Sequence, residues 1–338
     1  MGVLEVTWFI LIGVLFTVYA VLDGFDLGIG IMYPFSPKEE QRVLQKVISP
    51  FWDGNEIWLL AGIGALFAVF PGARSALFSG FFLPVMIVLF ALIYRAAAIH
   101  FIQVIANGAL LNSWTIAFSI TSILPPLVFG IMAGNLLRGI PLNTDGMYSG
   151  TFYGLFSHYT IVAGLTGVVM FVMQGSLYLA LKTTGAVKKR ALTWAGYTWL
   201  VYLILFLYIS VRSVIVSSHI SVNFWVNPKL LLVPLCGLGT IIAIRVLLKK
   251  RRMALSFAVS TASIILMMAI FGISIFPNIV FQLGDFGKSL KISNAASSET
   301  TLIIMLVTAL IGIPVVVMYN VYVRRVFRGK GAAEDTAY

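Results

Sequence analysis

Nine stretches of this chain are each long and apolar enough to cross a lipid bilayer, and nothing else in the sequence limits its possible folds so sharply. They lie near residues 7 to 32, 52 to 70, 76 to 100, 114 to 138, 155 to 181, 192 to 217, 229 to 248, 253 to 276 and 300 to 323; a helical span needs about 20 such residues. Their apolar character is continuous rather than alternating, which indicates helices and excludes a transmembrane barrel. The longest polar connections, 33 to 51, 139 to 154 and 277 to 299, are too small to house a soluble domain. The expected fold is therefore all-α: a polytopic membrane protein with about nine transmembrane helices. Residues 1–338 form a single integral membrane domain that ends in a basic cytoplasmic tail, 324–338.

Composition supports this. Hydrophobic residues make up 60% and charged residues 10% of the 338, whereas a soluble domain carries about a quarter charged residues. A cytosolic enzyme, a secreted module and a disordered scaffold are excluded together. The first positive charge is Lys38, so the opening apolar run has no basic leader and reads as a retained span rather than a cleaved signal.

The net charge of +11 would suggest nucleic acid in a soluble protein. Here it follows topology. Lys38, Arg42, Lys46, Lys182, Lys188, Lys189, Arg190, Lys249, Lys250, Arg251, Arg252, Arg324, Arg325, Arg328 and Lys330, fifteen in all, fall on one set of alternating connections. The opposite set holds five: Arg74, Arg138, Lys229, Lys288 and Lys291. By the positive-inside rule the C-terminus is cytoplasmic, and nine spans then put the N-terminus outside. Pro125 and Pro126, in the middle of the fourth run, should kink it, and Gly130 with Gly134 should admit a neighbouring helix.

Ionisable residues inside spans are costly and by default point to function. Asp23 and Asp26 lie one turn apart in the first span, and Asp53 and Glu56 repeat that spacing at the start of the second. The topology places both pairs in the cytoplasmic part of the membrane, with Arg95 and His100 of the third span at similar depth. Arg212 and Arg245 also fall inside spans, but four acids against one Arg at this depth leave carboxyls without a counter-ion, and such groups suit a proton relay. Two blander readings compete: Arg95 neutralising one acid in a structural ion pair, and Asp53 with Glu56 forming an ordinary acidic first helical turn beside Trp52 and Trp58. Gly24 and Gly28 have the spacing of a close helix contact.

Redox chemistry has poor support within the chain itself. The histidines are His100, His158 and His219, each near a span end or in a connection, so a haem-copper centre is excluded and an axial haem pair is not apparent. Cys236 is the single Cys, which excludes a Cys-based zinc or iron-sulfur site. No P-loop is present. No metal site is expected.

Collinear motifs add a family resemblance. Asp23-Gly24-Phe25-Asp26-Leu27-Gly28-Ile29-Gly30, Trp52-Asp53-Gly54-Asn55-Glu56-Ile57-Trp58 and Gly64-Ala65-Leu66-Phe67-Ala68 open the series. Pro125-Pro126-Leu127-Val128, Gly134-Asn135-Leu136-Leu137, Gly139-Ile140-Pro141, Gln174-Gly175-Ser176-Leu177-Tyr178-Leu179, Phe276-Pro277, Asn294-Ala295-Ala296-Ser297-Ser298 and Thr301-Leu302 continue it. Over nearly its full length the chain resembles subunit II of the cytochrome bd-type quinol oxidases, cyanide-insensitive members included. The resemblance implies nine spans arranged largely as two four-helix bundles, paired with a haem-bearing subunit I that holds haems b and d and the quinol-oxidising loop. It implies a haem-free subunit of a quinol:dioxygen oxidoreductase, inactive alone, in the bacterial cytoplasmic membrane of an aerobic respiratory chain. The complex takes quinol and dioxygen as substrates and draws protons from the cytoplasm. Small single-span subunits are further partners that it allows, and nucleic acid is not one. In some members this subunit also binds a quinone.

The family's proton-route acid of the Trp-Asp-Gly-Asn motif carries over to Asp53, with Glu56, Asp23 and Asp26 in support and Arg95 and His100 as counter-ion or accessory groups. One departure stands out: family members commonly have an acid and then a second Arg after the third-span Arg, whereas here Arg95 is followed by Ala96, Ala97, Ala98, Ile99 and His100. A proton- or cation-coupled secondary transporter is the rival from another class, but it predicts inverted repeats that the sequence does not display. A purely structural subunit would differ only in whether the four acids handle protons.

Overall fold

The computed structural model describes residues 2–49, 52–105, 108–216 and 218–326. In chain order the elements are α1 (Val3–Met32), α2 (Lys38–Ile48), α3 (Trp52–Val69), α4 (Pro71–Val104), α5 (Ala109–Arg138), α6 (His158–Lys182), α7 (Gly185–Val216), α8 (Ser218–Val226), α9 (Leu232–Lys249) and α10 (Met253–Ile275). A small antiparallel hairpin follows, β1 (Asn278–Val280) with β2 (Leu290–Lys291), then α11 (Ile292–Ala295) and α12 (Glu299–Val326).

Among the described residues eight helices are long and apolar enough to cross a membrane: α1, α4, α5, α6, α7, α9 with the turn before it, α10 and α12. The ninth expected span is α3, a helix of 18 residues whose first turns hold Asp53, Asn55 and Glu56; those polar groups dilute its apolar character. The expected end of the sixth run at 217 and the tail beyond Val326, with Arg328 and Lys330, lie outside the described residues.

Helices α1, α3, α4 and α5 pack together, as do α6, α7, α9 and α10, while α12 lies against α1 and α3. The two groups meet where α6 packs on α1 and α5. That seam depends on glycine. A Cβ on Gly28 would collide with the Phe171 carbonyl, and one on Gly175 would come within 2.8 Å of the Gly28 backbone. Gly130 and Gly164 do the same for α5 and α6, each facing the other helix's backbone at 2.6 to 2.7 Å. Close backbone approach gives the dense van der Waals contact on which helix association in lipid depends. The 174–179 motif is thus largely a packing motif: beside Gly175, Gln174 Nε2 donates to Thr261 Oγ1 at 2.9 Å and Ser176 Oγ donates to the Val172 carbonyl at 2.7 Å.

The backbone stays helical through Pro125 and Pro126. The non-helical residue lies instead in α4, at Phe81 (φ −114°, ψ 17°), three residues before Pro84. The Pro84 ring excludes the carbonyl one turn earlier and removes a ladder hydrogen bond, so the turn before it opens.

Three connections hold structure that apolar periodicity does not foresee. Helix α2 buries Leu44 and Ile48, four residues apart, and leaves Lys38, Glu39, Arg42 and Lys46 outward. Its first turn is acidic (Glu39, Glu40) and its last turn holds Lys46, which suits the helix dipole. Gln45 Nε2 donates to the Ile99 carbonyl at 2.9 Å and ties α2 to the end of α4. At the other end of the molecule, the Ser297 amide donates to the Val69 carbonyl at 2.8 Å and Trp8 Nε1 donates to the Leu302 carbonyl at 3.0 Å. Asn135 Nδ2 donates to the Leu155 carbonyl at 2.9 Å, which fastens the 139–157 connection to α5.

Candidate functional site: a buried carboxyl and guanidinium cluster

Between α1, α3 and α4 the chain buries four charged side chains in its membrane domain. Helix α1 presents Asp23 and Asp26 on one face, both with no exposed surface. Helix α4 supplies Arg95, also fully buried, and α3 supplies Glu56, which is 22% exposed. Arg95 Nη2 lies 2.9 Å from Asp26 Oδ1, and Arg95 Nη1 lies 3.7 Å from Glu56 Oε1. The ring of Phe118 on α5 stands 5.9 Å from the guanidinium carbon and closes the far side.

Local packing fixes this geometry. Asn55, adjacent to Glu56, is buried and donates from Nδ2 to the Leu22 carbonyl at 3.1 Å. That bond joins α3 to α1 at the depth of Asp23. Trp58, about one turn after Asn55 on α3, is buried as well. On α1 the Tyr19 hydroxyl, one turn before Asp23, stands beside its carboxyl without a well-directed hydrogen bond. The Tyr19 ring meets Phe129 of α5 edge-on at 6.0 Å.

The arrangement has one cation and three carboxyls, all in surroundings where an unpaired charge is expensive. Arg95 pairs closely with Asp26 and at longer range with Glu56; Asp23 has no ion pair among the described residues. Glu56, being partly exposed, is the member of the group in reach of the surface.

Two residues expected at this depth are not in the cluster. Asp53 is exposed on the first turn of α3. His100 is exposed on α4, its ring 6.0 Å from that of Phe101. The expected convergence of all six is thereby corrected to four, with Asp53 outside Glu56 on the same helix and His100 turned away. Asn55 and Trp58, both of the 52–58 motif, complete the site together with Tyr19 and Phe118, which lie in no motif. Tyr19 carries a signal in its four-residue spacing from Asp23. His158 Nε2 shares a 2.6 Å hydrogen bond with the Tyr208 hydroxyl, well away from the cluster in the chain. No group of three or more His, Cys, Asp or Glu suited to a metal ion is present among the described residues.

Comparison with known proteins agrees along the whole length. The family model for cytochrome bd terminal oxidase subunit II matches residues 4–327. The chain is 30% identical to cytochrome bd-I ubiquinol oxidase subunit 2 of Escherichia coli (strain K12), over 98% of this chain and 96% of that protein. It is 30% identical to cytochrome bd ubiquinol oxidase subunit 2 of Bacillus subtilis (strain 168), over 97% of each. Its fold matches a chain in the structure of bd oxidase from Geobacillus thermodenitrificans with a TM-score of 0.80 at 17% identity, covering 96% of this chain and 99% of that one.

Proposed function

The chain belongs to the cytochrome bd terminal oxidase subunit II family, and from that membership we propose that it is the haem-free subunit of a quinol-oxidising, dioxygen-reducing complex whose buried carboxyls pass protons inward from the cytoplasm. It is an integral membrane protein. In this reading its place is the bacterial cytoplasmic membrane, with the N-terminus outside and the C-terminus inside, beside a haem-bearing subunit.

One observation carries the proton role: Asp23, Asp26 and Glu56 face a single guanidinium inside the membrane domain, and Glu56 alone reaches the surface. Carboxyls in excess of their counter-ions in a low dielectric hold charge poorly and exchange protons instead. Asp53, exposed on the turn before Glu56, collects protons from water. Glu56 takes them in. Arg95 holds Asp26 and steadies the charge as a proton moves among the buried groups. Asp23, beside Tyr19, is the innermost carboxyl.

Haem would supply the electron transfer and oxygen chemistry in such a complex, and neither His100 nor His158 fits its ligation. His100 is exposed and His158 is committed to Tyr208, while the side chain of His219 lies outside the described residues. Glu56→Gln in the assembled complex tests the reading: quinol-driven oxygen consumption should fall while the haem spectrum stays intact. Unchanged turnover across pH would make the cluster structural.

A further inference from the structure

A groove of about 330 Å³ lies along α6 and α7, lined by Val169, Thr193, Trp194, Tyr197, Thr198 and Val201. Its size falls at the lower end of the roughly 300–1,000 Å³ typical of ligand pockets. Its walls are almost wholly apolar. Two of the three hydroxyls that line it are already spent: Thr193 Oγ1 donates to the Lys189 carbonyl at 3.1 Å and Thr198 Oγ1 donates to the Trp194 carbonyl at 2.8 Å, while the third belongs to the exposed Tyr197. An occupant is therefore held by apolar contact rather than by hydrogen bonds from those threonines.

One end of the groove is cationic. The stripe Val201, Tyr197, Thr193 runs along α7 at four-residue spacing, and its next member is Lys189, which is exposed. Arg190 beside it is occupied by Glu40, with Nε 2.8 Å from Oε2, and that pair fastens α2 next to α7. The rings of Trp194 and the exposed Phe35 stand 5.8 Å apart at this level, as aromatic residues do at a membrane surface. The turn between α9 and α10, Lys249 to Arg252, packs at the same end of the molecule through Leu248 and Met253. In that turn Arg251 adopts a left-handed backbone (φ 56°) at a helix end where glycine is the usual residue. A cation is thus kept at a position that disfavours its backbone.

We propose that this groove holds an acyl chain of an anionic phospholipid whose phosphate rests on Lys189. The apolar trough takes the chain, and the unpaired Lys at its surface end selects the negative headgroup. The intact oxidase complex, reconstituted in nanodiscs of either phosphatidylglycerol or phosphatidylcholine and then extracted in mild detergent, tests the proposal by counting retained lipid by native mass spectrometry. Wild type should keep phosphatidylglycerol and lose phosphatidylcholine. Lys189→Gln should weaken that retention by about fivefold, and Val201→Trp, which fills the trough, should abolish it; haem content reports that both variants assemble. If Val201→Trp does not assemble, the exposed Lys189→Gln variant decides alone. Equal retention of the two lipids, retention unaffected by Lys189→Gln, or a quinone in the groove in place of phospholipid would overturn the proposal.

Discussion

Arg95 and Asp26 form an ion pair 2.9 Å long with no exposed surface on either side chain, linking α4 to α1 in the membrane domain. A pair of this kind costs much to break from one side and little to remove whole. Deleting one partner of a buried pair leaves a stranded charge at about 3–5 kcal/mol, whereas replacing both with apolar groups is often neutral. Arg95→Leu should therefore sharply reduce the yield of assembled complex, and Asp26→Leu in the same chain should restore part of it. Thermal unfolding of the purified complexes measures the coupling; simple additivity of the two changes would show that the pair does not act as a unit.

Glu56 and Asp53 should differ in effect. Glu56 joins the buried cluster and has no substitute there, so Glu56→Gln should lower quinol-driven oxygen consumption roughly tenfold or more. Asp53 is exposed, and water can stand in for it, so Asp53→Asn should have the smaller effect, about threefold or less. Oxygen-electrode rates on complexes of equal haem content rank the two, and the reverse order would place the entry point at Asp53 itself.

The α1–α6 seam should tolerate no side chain. Gly28→Ala sets a Cβ against the Phe171 carbonyl, and overpacking of this kind costs about 1–3 kcal/mol or more. Gly64→Ala on α3, with nothing within 4 Å of the added carbon, should be neutral or stabilising by about 0.5–1 kcal/mol. A lowered unfolding temperature for both variants alike would mean that the effect is not one of contact.

Sidedness can be checked with thiol chemistry. Cys236 is exposed, so the background carries Cys236→Ser, and Lys188→Cys is then the single thiol. An impermeant maleimide should leave it unlabelled in intact cells and label it in inverted membrane vesicles, as expected from fifteen positive charges against five. Labelling in intact cells would reverse the orientation.

Depth along a span was legible in the sequence; direction around the helix was only partly so. Counting from the ends of the apolar runs places Asp23, Asp26, Glu56 and Arg95 at one level, and the structure brings these four together. Depth alone also collects His100 and Asp53. Five residues separate Arg95 from His100, which is about 140° of rotation, so the two point to nearly opposite sides of α4. Asp53 is only about 60° from Glu56, yet it stands one turn nearer the helix end and stays exposed. The hidden elements were the short ones. Helix α2 is mostly polar, and its two buried residues, Leu44 and Ile48, give too little apolar signal to separate it from a loop. Proline content alone does not locate the break: α5 stays helical through two adjacent prolines, whereas α4 opens at Phe81 ahead of the single Pro84.

The brevity of α3 bears on the membrane as much as on the protein. The 18 residues described for α3 reach about 27 Å, less than the roughly 30 Å hydrocarbon layer, while its neighbours α1 and α4, with 30 and 34 residues, exceed that thickness. Lipid relieves such a mismatch by thinning. Thinning at α3 would bring headgroups and water closer to the bilayer centre beside Glu56, which that helix carries. If Glu56 is the proton entry proposed above, the insulating distance beside it should lengthen in thicker-chain lipids.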